Sequence, residues 1–269
     1  VVTPKQIFNE YSSGTPDATA FRWLMKQFYD RVEQGGKNPE NLLLFGATTC
    51  DHRSLLSQNN QQQKMLSYQS ENSLSVDISS YGTDDYFALL DDEEGANLLL
   101  GKMDVGVGRL WARTTDEANV LVSKIKKYII DNQKGSWKTN LIYLADDNPD
   151  QTNGFDLGFT YEGDFLAKQI ESAYPEFTPR RMFFDAYPQV SSASSETLPL
   201  LREKLFQQIN KGVLFVNYTG HGSTEGIGNE RVLSRSDISS MNNSILPIFF
   251  TATCDFAEYD QLTSSIGKE

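Results

Sequence analysis

Residues Val213–Gly228 read VLFVNYTGHGSTEGIG, and the fold turns on where that stretch divides. Val213–Tyr218 is a near-continuous apolar, β-favouring run. That is the composition of a strand buried on both faces, since a strand with one wet face alternates polar and apolar residues. The run breaks into Thr219-Gly220-His221-Gly222-Ser223, where glycine on both sides of the histidine lets the backbone turn and approach a neighbour closely. One of the chain's two histidines therefore stands at the carboxyl end of a strand. In open α/β sheets this is the edge where ligands and chemistry collect.

Five further runs have the same character: Asn41–Gly46, Asp104–Leu110, Leu141–Ala145, Arg181–Phe184 and Ile245–Thr251. Amphipathic segments separate them. Thr114-Thr115-Asp116-Glu117 has capping-box spacing, and Ala118, Leu121, Val122, Ile125, Tyr128 and Ile129 follow at helical period. Phe165 and Ile170 mark a second helix, Leu198, Leu201, Leu205 and Ile209 a third. A fourth covers Pro16–Glu33, with Phe21, Leu24, Met25 and Phe28 on one face. Strand and helix in alternation predict an α/β fold, a mostly parallel sheet with helices on both faces. The polar stretch Ser57–Gly82 reads as a long surface loop. A weak boundary at Gln133-Lys134-Gly135-Ser136 divides the chain into two subdomains, 1–134 and 135–269.

The 269 residues carry 36 Asp and Glu against 24 Lys and Arg, a net charge of −12. An acidic chain is poorly suited to a phosphate backbone, so nucleic acid is not expected as a partner. Much of the acid lies in Asp84-Asp85, Asp91–Glu94 and Asp146-Asp147. These clusters read as solvated loop rims, and Ca²⁺ is the ion such carboxylates would take. No apolar run approaches the roughly 18 residues that a membrane span requires. The amino terminus, Val-Val-Thr-Pro, resembles no signal peptide and lacks an initiator Met; the expectation is a piece of a longer precursor whose export signal is not in this chain.

Ile245–Thr251 leads through Ala252 and Thr253 to Cys254-Asp255, 33 residues beyond His221. That separation suits one crossover and a return to a neighbouring parallel strand, about 4.8 Å away, which would set both side chains over one sheet edge. A cysteine attacks as thiolate, and an imidazole can take its proton and later protonate a leaving amine. The N–H groups of Gly222 and Cys254 are candidate oxyanion donors, a contribution of about 3–4 kcal/mol per donor where tested. On spacing alone the bland alternatives stand level: a strand cysteine is commonly a small hydrophobe, and a Gly-His-Gly turn is commonly just a turn. The other pair, in Cys50-Asp51-His52, shares one loop and lacks the further ligands of a zinc site, so it reads as a variable loop. Two cysteines allow at most one disulfide and no disulfide framework.

NYTGHGS at Asn217–Ser223, followed by the strand-end cysteine of TATCDFAEYDQ, resembles the gingipain family of cysteine peptidases, which is caspase-like in fold. LLLFGATTCDHR resembles the family's strand and loop after its first helix, YGTDDYFALLDDEEG its central segment, and DVGVGRLWARTTDEANVLVSKIKKYI its Val-Gly-Arg strand and following helix, so the likeness spans nearly the whole chain. Within the family, the chain is most similar to the sortase branch that serves the type IX secretion system. The resemblance implies His221 as general base and acid, Cys254 as nucleophile, and an orienting acid at Glu162. It requires no cofactor or metal. It implies cleavage before the C-terminal sorting domain of secreted cargo proteins, with transfer of the acyl group to an amine of anionic lipopolysaccharide or to water. The partners would be those cargo proteins and other type IX components, and the location the outer membrane or cell surface of a Gram-negative bacterium. A secreted gingipain-like endopeptidase and a non-catalytic, cargo-binding caspase-like module are the alternatives. The family pattern continues through a helix and a glycine-rich strand beyond the last residue, so the second subdomain is expected to be C-terminally incomplete.

Overall fold

The computed structural model describes residues 1–31, 35–56, 65–70, 81–98, 100–131, 134–147, 158–192 and 196–261. The chain forms two compact units, Val1–Lys124 with Glu258–Thr263, and Ile125–Ala257 with Ser264–Glu269. The division falls at Lys124/Ile125, inside a helix, where the sequence suggests 134/135. It also returns a short segment after Cys254 to the first unit.

In the first unit, α1 (Pro4–Tyr11) begins with a capping box in which Thr3 and Gln6 satisfy each other's backbone N–H groups, and α2 (Thr19–Asp30) packs against it. The strands are β1 (Asn41–Phe45), β2 (Tyr68–Gln69), β3 (Gly82–Thr83) and β4 (Gly106–Leu110). β1 and β4 pair in parallel, and β2 and β3 form a short antiparallel ladder within the region read as loop. Residues 57–64 and 71–80 of that loop lie outside the described residues. In the core Phe21 packs edge-on against Phe87 and tilted against Phe8. Of the predicted α2 face, Phe21 and Met25 are buried, Leu24 is half-buried and Phe28 is exposed. α3 (Thr115–Asp131) has the predicted period but no buried residue.

The second unit holds the sheet that the opening stretch predicts. β5 (Asn140–Ala145), α4 (Gly158–Ala173) and β6 (Thr178–Phe183) are followed by a small hairpin, β7 (Val190–Ser191) and β8 (Glu196–Thr197). Then come α5 (Pro199–Lys211), β9 (Phe215–Thr219), and the short antiparallel strands β10 (Gly222–Ser223), β11 (Gly226–Ile227) and β12 (Leu233–Ser234). α6 (Arg235–Ser240) and β13 (Ile248–Ala252) close the order. The central sheet runs β13-β9-β5-β6, every pairing parallel.

Burial along β5 explains its unbroken apolar run. Ile142 and Leu144 face one core with Leu201, Leu205 and Ile209 of α5, while Leu141 and Tyr143 face another with Ala167 of α4. Successive residues of a strand point to opposite faces, so helices on both sides demand apolar residues at every position. Burying each large aliphatic side chain contributes about 1.5–3 kcal/mol. Among the described residues no helix is long and apolar enough to cross a membrane.

Candidate active site

The ladder between β9 and β13 pairs Thr219 with Ala252, an offset of 33 residues that is also the offset between His221 and Cys254. One N–H···O bond continues beyond it, from Gly220 N–H to the Ala252 carbonyl at 3.3 Å. The turn at Gly220 then carries His221 out over the sheet end. Both His221 and Cys254 are exposed there. Cys50 and Cys254 are thiols and form no disulfide.

Gly222 shows how tightly the two strand ends approach. A Cβ at that position would lie 2.4 Å from Thr253 Oγ1 and 2.9 Å from the Cys254 carbonyl oxygen. Only glycine leaves room for backbone to pass backbone at that distance. Gly220 is similarly confined, since its Cβ would meet Asp146 Cβ at 2.4 Å. Asp255, just after the cysteine, takes a left-handed φ of 54°, a conformation costing of order 1 kcal/mol for a non-glycine residue. It turns the chain sharply away behind the thiol.

The histidine turn is held from below by Asp146, the first residue after β5. Asp146 is almost wholly buried, and its Oδ2 accepts the His221 backbone N–H at 2.8 Å and the Tyr218 hydroxyl at 3.1 Å. Tyr218 also reaches the His221 carbonyl at 2.6 Å. Asp146 itself is tied to β9 through its N–H to the Thr219 carbonyl. Burial pushes the Asp146 carboxyl up, against the hydrogen bonds and the neighbouring His221 charge that draw it down. Burial, reinforced by the Asp146 charge, pushes the Tyr218 phenol far above its ordinary range. The imidazole packs edge-on against Phe159 of α4, ring centroids 5.4 Å apart at 87°.

The fold thus sets His221, Gly222 and Cys254 at one sheet edge. Glu162 is exposed on α4, its carboxylate against the start of that helix near Gly158. The carboxylate touching the histidine turn is Asp146, which the sequence offers only as half of a loop-rim cluster. Its signal is its position, one residue beyond a fully apolar strand. Of the other acidic clusters, Asp84 departs from a solvated rim, making a paired, half-buried contact with Arg109 at 2.7 Å, whereas Asp91, Asp92 and Glu93 stay exposed, with Asp91 and Asp92 engaging Tyr29 and Lys26.

The sequence profile of Peptidase family C25 matches residues 1–269. Among solved structures, the chain is similar to the Arg-specific cysteine proteinase gingipain R (RgpB), with a TM-score of 0.62 at 16% identity over 97% of this chain and 50% of that one. The complex of Porphyromonas gingivalis RgpB pro- and mature domains gives 0.58 at 16% identity, over 97% of this chain and 51% of that one. A structure described only as a protease gives 0.59 at 15% identity, over 98% and 52%. At such identities the likeness is one of fold, and the chain spans about half the length of the gingipain chains. No curated protein sequence matches it.

Proposed function

Since the chain belongs to peptidase family C25, we propose that it is a cysteine peptidase of the sortase type, acting through His221 and Cys254. The observation supporting this reading is that β9 and β13 are parallel neighbours paired at an offset of 33 residues, Thr219 with Ala252, the same offset that separates His221 from Cys254 just beyond their ends.

The chemistry follows from the groups at that edge. The His221 imidazole takes the Cys254 thiol proton, and the thiolate sulfur bonds to the carbonyl carbon of the scissile peptide. The N–H groups of Gly222 and Cys254 are the donors for the oxyanion. As the C–N bond breaks, the imidazolium gives its proton to the departing amine, leaving a thioester on Cys254. An incoming amine or water then gives a proton to His221, attacks the thioester carbon and expels the thiolate. Asp146 is a positioning residue, holding the His221 backbone where the imidazole can serve both steps.

The substrate in this reading is the junction before the C-terminal sorting domain of a type IX cargo protein. The acceptor is an amine of anionic lipopolysaccharide, or water, at the outer membrane surface. Support for this finer assignment comes from the motif resemblance in TATCDFAEYDQ and its neighbours. The test replaces Cys254→Ala and His221→Ala in the full-length protein in cells and follows cargo by mass spectrometry. Cargo is expected to keep its sorting domain in both variants. If it were still trimmed in both, the sortase reading would fail. General peptide hydrolysis by the purified protein, with no acceptor incorporated, would replace it with the secreted endopeptidase. Unaltered cargo binding by both variants, with no turnover in the wild type, would replace it with the cargo-binding module.

A further inference from the structure

We propose that Asp146, Asp147 and Glu230 form a calcium-binding site behind the histidine turn. One carboxylate oxygen from each lies within 4.8 Å of those of the other two. Calcium holds oxygen ligands at 2.3–2.6 Å, so two ligands of one ion stand at most about 5.2 Å apart. The three residues come from two places in the fold, the end of β5 and the turn after β11, so sequence adjacency alone did not create the cluster.

An independent observation points to a ligand. Glu230 is 4% exposed, and its Oε2 is buried with no hydrogen-bond partner, while Oε1 has one long contact, from Gln189 Nε2 at 3.4 Å. An orphaned carboxylate oxygen in the interior costs the desolvation of a charged group. The groups beside it have the wrong sign to help, since its neighbours in the cluster, Asp146 and Asp147, are themselves carboxylates. A bound dication removes both defects, supplying Oε2 with a partner and the cluster with positive charge. The donors are all carboxylate oxygens, which suits a hard cation and not zinc or copper. Asp146 keeps its bonds to the His221 N–H and to Tyr218 through Oδ2, and its Oδ1 accepts only the Asp147 N–H. The ion would therefore brace the carboxylate that carries the histidine turn.

The test is direct calcium binding by the full-length, EGTA-stripped protein, measured by calorimetry and by thermal midpoint, with no activity readout. Wild type, Glu230→Gln, Asp147→Asn and Asp92→Asn, the last in an exposed cluster of the first unit, are compared. Calcium chloride is expected to bind the wild type and raise its midpoint. Losing one charged ligand should weaken this binding about tenfold or more in Glu230→Gln and Asp147→Asn, with Asp92→Asn like wild type. In EGTA, Glu230→Gln should melt at or above the wild-type midpoint, because the variant buries no charge. The proposal is overturned if wild type fails to bind calcium, if Glu230→Gln and Asp147→Asn bind it unchanged, or if magnesium chloride binds as tightly. It is equally overturned if Glu230→Gln is unfolded in EGTA, since the carboxylate would then hold the fold by itself. None of these results bears on the His221–Cys254 reading.

Discussion

The two cysteines and two histidines divide evenly between the units, and the two pairs show what a reactive arrangement requires. In the first unit Cys50 and His52 share one loop after β1, and the polar groups there are spent on closing that loop. Asp51 is buried, with its carboxylate accepting the N–H groups of Leu55 and Leu56 at 2.8 and 3.0 Å, and the Cys50 N–H donates to the Asp260 carbonyl at 2.7 Å. In the second unit His221 and Cys254 each stand two residues beyond one of two neighbouring parallel strands, β9 and β13. Side chains from one tight loop move together and are placed by their own turn. Residues that follow neighbouring strands of a packed sheet are brought to one edge by the core that positions those strands.

That contrast is most easily broken by exchanging the pairs in mutagenesis. Cys254→Ala or His221→Ala should lower cleavage about a thousandfold or more, as loss of a nucleophile or its base does elsewhere. Cys50→Ser and His52→Ala should stay within about twofold of wild type, the range of surface changes outside a site. Cleavage of one defined cargo peptide by the four purified full-length variants decides it. An equal loss in Cys50→Ser would mean that the first unit supplies the chemistry.

The contrast sharpens at Gly222. An added methyl would stand 2.9 Å from the Cys254 carbonyl oxygen, a backbone atom that cannot rotate aside. Gly222→Ala must therefore push the histidine turn away from the cysteine strand. A displacement approaching 1 Å is expected to cost about a hundredfold in kcat, with about 1–3 kcal/mol of stability lost to overpacking. Near-normal kcat in Gly222→Ala would show that the close approach of the strand ends does not matter to turnover.

Much of the second unit is legible in the residues alone, for a definite reason. The inner strands β5 and β9 are covered on both faces and so carry a near-continuous apolar signal, while the edge strands β6 and β13 are half-exposed and are legible only through shorter apolar runs. The offset of 33 can be counted along the chain, yet it gains meaning only from β9 and β13 being neighbours. Strand order is a non-local property, and it hides Asp146. That β5 lies on the other side of β9 from β13 is what brings its terminal carboxylate under His221. Along the chain, the same residue is one of two acids before a polar loop. Asp84 misleads for a similar reason, since its partner Arg109 stands 25 residues away. α1 carries its capping box in Thr3-Pro4-Lys5-Gln6, but eight residues give too few turns for a period to emerge.

The smallest effect probes the first unit's side of the comparison. Asp51 is buried in the loop after β1 and carries two backbone N–H bonds, as a helix-capping side chain does. Asp51→Ala returns the Leu55 and Leu56 N–H groups to water and leaves the cysteine and histidine beside it untouched. The expected loss is about 1–2 kcal/mol of stability, the usual worth of such a cap, seen as a lowered denaturation midpoint. Cleavage of the cargo peptide at low temperature should not change. If the loop's carboxylate instead set the rate, activity would fall at temperatures where the variant is still fully folded. The two units could not then be divided into one that spends its polar groups on closing a loop and one that sets a histidine and a cysteine beyond neighbouring strand ends.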